Sequence, residues 1–173
     1  MGMFEVRRVR ADEWRQIREI RLEALKDTPI GFGECYEDAL AKGDEAWREQ
    51  ARKVAESEAA ALFVAARESG RFVGTAGVFA AEASGREFVL YSVYVTPEFR
   101  GTELCTAGRL FDVAISWARV IGGAEIISLE VHERNERARA FYRRYGFVET
   151  DAARPAKLHK PGSLIVMRYD RTL

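Results

Sequence analysis

Between residues 61 and 123 the chain changes its hydrophobic period, and that change restricts the available folds more than any other feature. The segment ALFVAARESGRFVGTAGVFAAEASGREFVLYSVYVTP (61–97) holds three β-type runs separated by ESGR and ASGR, whose Ser-Gly pairs are turn signals. Runs joined this tightly read as an antiparallel meander. Beyond Pro97 the apolar residues recur at helical spacing, at Leu110, Val113, Ala114 and Trp117, until Gly122-Gly123 ends the pattern. A strand that passes through one turn into a helix sets a helix N-terminus at the end of a sheet.

The flanking segments extend the pattern. FEVRRVR (4–10) alternates as a short half-buried strand, and the next stretch reads as a helix that Asp12 can cap and Pro29 stops. IGFGECYEDALAKGD is loop-like, with Phe32 and Tyr36 looking exposed among its glycines. Residues 44–57 form a second amphipathic helix with Asp44 as its N-cap. EIISLEVH (125–132) is a strand, and NERARAFYRRYG (135–146) is a helix with Asn135 as N-cap and Gly146 as the terminating glycine. The tail supplies two more strands around a proline-containing connection. The order β–α–α–β–β–β–α–β–α–β–β, without repeat or long linker, predicts a single mixed α/β sheet.

Composition narrows function mainly by exclusion. At 173 residues and 47% hydrophobic, the chain can bury one sizeable core. Its 27 basic and 27 acidic side chains leave no net field that would draw nucleic acid or an anionic membrane. Cys35 and Cys105 match no zinc-ligand spacing and are too few for a disulfide scaffold, so a reduced, cytoplasmic setting is expected. No apolar leader or membrane-length run is present, and Val6 stands where a myristoylation motif needs Ser or Thr. Arginine supplies 22 of the basic residues, a bias typical of GC-rich bacterial genomes. The familiar phosphate-loop, dinucleotide, hydrolase-elbow and zinc-protease motifs are missing. His132 and His159 have no metal-spaced partners, so no metal is expected and both read as surface residues.

Two motifs remain. Val95, Pro97, Arg100 and Gly101 lead from a strand through a turn into a helix, and Asn135, Ala138, Tyr142, Gly146 and Phe147 follow as N-x-x-A-x-x-x-Y and a terminal G-F. Backbone N–H groups at a helix start form a preformed cradle for a diphosphate, with Arg100 adding charge and Gly101 allowing close approach. With these residues the sequence resembles the GNAT superfamily of acyl-CoA-dependent N-acyltransferases. The resemblance implies the GNAT fold over residues 1–173, with a mixed, mostly antiparallel sheet of about seven strands flanked by four helices. An unrelated scaffold carrying both motifs by chance would have no splayed strand pair and no cleft below the turn.

The resemblance also implies a site. Acetyl-CoA is the expected co-substrate and a primary amine of a small molecule or protein the expected acceptor, joined by direct attack in a ternary complex. Homodimerisation is left open. The pantetheine arm would pair with main-chain atoms of Val93 and Val95, although ordinary ladder pairing explains both residues equally well. The turn departs from the family's R-x-x-G-x-G/A. A gap-free reading puts Glu103 and Cys105 at the small positions, whereas two extra residues would put Cys105 and Ala107 there and align Leu110, Phe111, Ala114 and Trp117 with the usual core helix. The second register is preferred, and the cradle would then use amides of Thr102, Cys105, Thr106, Ala107 and Gly108. Tyr142 matches the family's thiolate-protonating tyrosine, and it would equally pack with Phe141 and Tyr145 as a core aromatic. Asn135 either bonds the cofactor or caps its helix. Glu87, which opens its strand thirteen residues before Arg100, and Glu130 are the candidate bases. Acceptor specificity is expected from the segment with Phe32, Cys35 and Tyr36, from Glu130 and the exposed faces of the strands at 87–95 and 125–132, and from the connection around Arg154-Pro155. The rival to an enzyme is a catalytically weakened acyl-CoA-binding or partner-binding module, raised by the altered turn.

Overall fold

The computed structural model describes residues 4–81, 86–101, 105–156 and 161–170. The first half runs β1 (Phe4–Arg8), α1 (Trp14–Asp27), α2 (Tyr36–Ala41), α3 (Asp44–Glu56), β2 (Ala60–Arg67) and β3 (Phe72–Ala80). The second half runs β4 (Glu87–Val95), α4 (Thr106–Val120), β5 (Ile126–His132), α5 (Glu136–Tyr145), β6 (Phe147–Pro155) and β7 (Ser163–Tyr169). Single 3₁₀ turns lie at Pro29–Gly31 and Pro97–Phe99. The strands form one seven-stranded sheet in the order β1-β2-β3-β4-β5-β7-β6. Every neighbouring pair is antiparallel except β4 and β5. Among the described residues no helix is long and apolar enough to cross a membrane.

Alternation along the strands separates two cores. Val73, Ala76 and Val78 of β3 and Phe88 and Leu90 of β4 join Leu110, Phe111 and Ala114 of α4 and Tyr142 of α5 on one face. Leu62 and Val64 of β2 and Tyr94 of β4 join Ile17, Ile20 and Leu25 of α1 and Trp47 and Ala51 of α3 on the other. Burial of these side chains, at ~25 cal/mol per Å² of apolar surface, is the main force holding helices to sheet.

Four local expectations need correction. Tyr36–Ala41 is a helical turn and a half where a loop was expected, since YEDALA lacks an internal glycine or proline. Phe32 is buried, because its ring joins the apolar core between α1 and α3 under the Arg21 guanidinium. Neither Asp12 nor Asp44 caps a helix. Gly43 precedes α3, and Glu13 precedes α1 without a side-chain cap. The Glu13 carboxylate instead accepts from both Arg7 Nη atoms at 2.9 and 2.6 Å and from the Arg10 backbone at 2.8 Å, fastening α1 to β1. Burial alone would raise the Glu13 pKa, but these donors hold it below its ordinary value. Finally, His132 is 2% exposed and belongs to the interior. As the last residue of β5 it lies opposite Leu164 of β7, and its Nδ1 accepts the Arg134 backbone N–H at 3.2 Å. His159 lies outside the described residues.

Candidate active site

The parallel pair at the centre of the sheet opens partway along. β4 pairs with β5 from Glu87 to Leu90, against Ile126 to Leu129, and the ladder stops there. β5 continues to His132 with β7 on its other edge, while β4 continues to Val95 with only β3 beside it. This is the splay that a chance mimic would lack.

A bulge in β4 marks the opening. Thr75 pairs with Tyr94 and Gly77 with Tyr91, so Ala76 alone faces both Ser92 and Val93. Ser92 takes φ +51°, and its carbonyl accepts the Thr75 hydroxyl at 2.7 Å. The extra residue swaps the strand's faces: Phe88 and Leu90 point toward α4 before it, and Val93 and Val95 do so after it. Tyr91, on the α1 face, lies flat over Gly77, where a β-carbon would come within 2.5 Å of its ring. Thr96 N–H donates to Val73 at 3.0 Å, so by strand alternation the peptide groups of Val93 and Val95 turn toward the gap.

The gap leads to the start of α4. Gly101 has φ +118°, which favours glycine, and Cys105 precedes the helix at φ +48°. The buried Thr106 hydroxyl donates to the Phe99 carbonyl at 3.0 Å and fixes the helix start against the turn. The first i to i−4 bond of α4 runs from Arg109 N–H to Cys105 at 2.9 Å, so the N–H groups of Thr106, Ala107 and Gly108 belong to the unsatisfied first turn. A β-carbon at Gly108 would meet Tyr145 at 3.9 Å, an ordinary contact, so packing does not demand this glycine. Thr102 and Glu103 lie outside the described residues.

Arg100 turns its guanidinium inward. Nε donates to the Val95 carbonyl at 2.7 Å, Nη2 bonds Asp27 at the end of α1, and the group lies 5.4 Å from the Tyr94 ring centre. The side chain thereby fixes the end of β4 to α1. Burial would raise the Asp27 pKa, yet hydrogen bonds from Arg100 and Thr28, with the charge of Arg100, hold it below its usual value.

On the α4 and α5 face, Tyr142 stacks on Phe111 at 5.8 Å with an 11° interplanar angle, and Phe141 and Phe147 pack around it. Its hydroxyl bonds no described residue, and burial pushes its pKa up, so it remains a neutral O–H at pH 7. Asn135 caps α5, its Oδ1 accepting from Ala138 N–H at 3.3 Å, and Gly146 closes the helix at φ +118°.

On the opposite face, Glu87 accepts from the Ser128 hydroxyl at 2.6 Å on the closed part of the pair. At ~3.3 Å per residue it lies roughly 13 Å along β4 from Tyr91. Glu130 is engaged in a two-point ion pair with Arg154 of β6. Tyr36 opens α2, with the Lys26 ammonium 4.5 Å from its ring centre. Arg21, Asp27, Tyr91 and Ser92 are the residues that sequence reasoning missed. Arg21 alone had left a signal, a cation on the apolar stripe of Ile17 and Ala24.

Comparison with known proteins follows the same line. The profile of the Acetyltransferase (GNAT) family matches residues 14–147. No curated protein matches the sequence significantly. The fold resembles a GNAT-family acetyltransferase from Streptococcus pneumoniae at 19% identity and a TM-score of 0.76, covering 95% of this chain and 97% of that one. It also resembles the ribosomal-protein-S5-alanine acetyltransferase of Vibrio fischeri at 15% identity and 0.77, covering 97% and 93%. A chimera of the Vibrio cholerae spermidine N-acetyltransferase SpeG aligns at 17% identity and 0.71, covering 95% and 94%. At such identities the structures speak for the fold, and the family profile, which spans well over half the chain around the splayed strands, makes this protein a member of the GNAT acetyltransferase family.

Proposed function

We propose that the protein transfers an acetyl group from acetyl-CoA directly to a primary amine within a ternary complex. The observation that carries this is the gap that opens in β4–β5 at a bulge, with outward-turned peptide groups at Val93 and Val95. A pantetheine arm is an extended chain with two amides, and it would bind there as an added strand, mainly at Val93, because Arg100 occupies the Val95 carbonyl. The diphosphate would rest on the N–H groups of Thr106, Ala107 and Gly108, where the α4 dipole favours negative charge. Arg100 serves this cradle by holding its approach in place.

The two faces of β4 divide the chemistry. The acceptor nitrogen attacks the thioester carbonyl carbon from the α1 face, and a β4 backbone N–H at the gap stabilises the developing oxyanion. As the tetrahedral species collapses, the C–S bond breaks and the sulfur takes a proton from the Tyr142 hydroxyl on the other face. A thiol of pKa ~8.5 is already a tolerable leaving group, so this donation assists turnover without being indispensable. The amine's own proton passes through water toward Glu87, whose position up the strand requires such a relay. Two of the similar structures carry names that refer to amine acetylation, of spermidine and of a ribosomal-protein alanine.

The test is acetyl-CoA-dependent thiol release across a panel of primary amines. Saturable release with at least one amine, reduced by Tyr142→Phe, is expected. Tight acetyl-CoA binding with no release from any amine would favour a binding module instead.

A further inference from the structure

Resting on that reading, we infer that the acceptor is an aminocarboxylate, a primary amine with a carboxylate a few bonds away, and that Arg21 binds the carboxylate. Arg21 projects from α1 to the β4 bulge. Its Nη1 donates to the Ser92 hydroxyl at 3.0 Å, its Nε to Glu34 at 3.1 Å, and its plane lies 4.7 Å from the Phe32 ring centre. Nη2 donates to none of the described residues. The guanidinium therefore has a fixed orientation and, among the described residues, leaves Nη2 available to donate a charge-assisted hydrogen bond to one carboxylate oxygen.

Its surroundings select for negative charge. Among the described residues Glu34 faces two cations, Arg21 and Lys42, so these three side chains together carry one positive charge. Burial would raise the Glu34 pKa, but those two partners keep it ionised, so the count holds at neutral pH. Of the carboxylates carried by α1, Glu23 accepts from Tyr94 and shares Arg71 with Glu98, and Asp27 pairs with Arg100. The notch beside Arg21, lined by Thr75, Tyr91, Ser92 and Gln50 among others, has a volume of about 20 Å³. That admits one water-sized group, such as a single carboxylate oxygen. Burial raises the Tyr91 pKa, so its hydroxyl stays neutral beside Arg21.

Proximity sets the length of the acceptor. Ser92, which Arg21 touches, is followed directly by Val93 of the proposed acyl site, and consecutive Cα atoms lie ~3.8 Å apart. A carboxylate seated on Arg21 and an amine at the thioester therefore belong to one compact acceptor. A polyamine would bring an ammonium against a fixed cation.

The experiment pairs amino acids with their carboxamides, and adds spermidine, in the thiol-release assay, with acceptor binding measured separately by saturation-transfer NMR in the presence of CoA. The wild-type protein should favour the acids at least tenfold in kcat/KM, and Arg21→Gln should erase that preference, raising KM for the acids at least tenfold more than KM for the carboxamides. Glu34→Gln removes the competing carboxylate and should lower KM for the acids, a gain that a damaged fold cannot produce. Equal or better use of carboxamides or spermidine by the wild type overturns the inference and leaves acyl transfer standing. Acids that bind through Arg21 without turnover overturn acyl transfer and leave the inference standing. Acids that neither bind nor react overturn the inference.

Discussion

The two faces of β4 are built from opposite materials. Toward α4 and α5 the strand meets an aromatic cluster in which Tyr142, Phe111, Phe141 and Phe147 pack ring on ring, and the Tyr142 hydroxyl has no hydrogen bond among the described residues. Toward α1 it meets fixed charges, Arg21 with Glu34 and Lys42, and Arg100 with Asp27. An apolar wall keeps the Tyr142 phenol neutral, which in the proposed reaction lets it donate a proton, whereas a charged wall would orient a polar acceptor. The bulge at Ser92 lets one strand serve both, since it reverses which side chains face which wall.

The largest way to break the contrast is to open the aromatic face. Phe111 is fully buried, so Phe111→Ala should cost about 3–5 kcal/mol in urea unfolding. Next, Tyr142→Phe separates packing from chemistry. The lost hydroxyl has no partner among the described residues, so stability should hold within about 0.5 kcal/mol, while kcat falls about 100-fold with the KM for acetyl-CoA unchanged. Equal losses in stability and rate would reduce Tyr142 to a core residue.

On the charged face, Asp27→Asn should weaken acetyl-CoA binding roughly five- to tenfold by loosening Arg100, an effect of about 1–1.4 kcal/mol, measured by calorimetry. The sign with pH follows from the depressed pKa. Asp27 contributes fully above its ordinary value of 3.8, and the contribution fades as pH falls below that toward the lower folded value. Acid titration of the wild type should therefore show a steeper loss of stability in that window than titration of the variant. The smallest effect belongs to the junction of the two faces. Cys105 has a β-carbon at φ +48°, so Cys105→Gly should stabilise the protein by about 1 kcal/mol without weakening acetyl-CoA binding.

The parts of the molecule legible in the sequence were those written as periodicity. The meander, the helix from Thr106 and the Asn135 to Gly146 helix follow from alternation, helical spacing and capping residues close in sequence. The Tyr36–Ala41 helix escaped because its six residues span too few turns for a pattern to emerge. The site was half legible. Tyr142 and the turn carry motif spacing, but the roles of Arg100 and Arg21 depend on Asp27 and Ser92, which lie 73 and 71 residues away from them. His132 looked like a surface residue because its burial comes from β7, supplied by the tail. The bulge left no mark, since Tyr-Ser-Val reads as continuous strand and only the pairing with Ala76 reveals the extra residue.

The central claim is that the open edge of β4 and the start of α4 together hold acetyl-CoA. Backbone amide NMR of the isotope-labelled protein, titrated with acetyl-CoA, tests it most directly. The expected result is saturable shifts at the amides of Val93, Thr106, Ala107 and Gly108, sharing one dissociation constant, with the β1–β2 amides unmoved. Saturable binding that leaves those four amides unchanged would contradict the account.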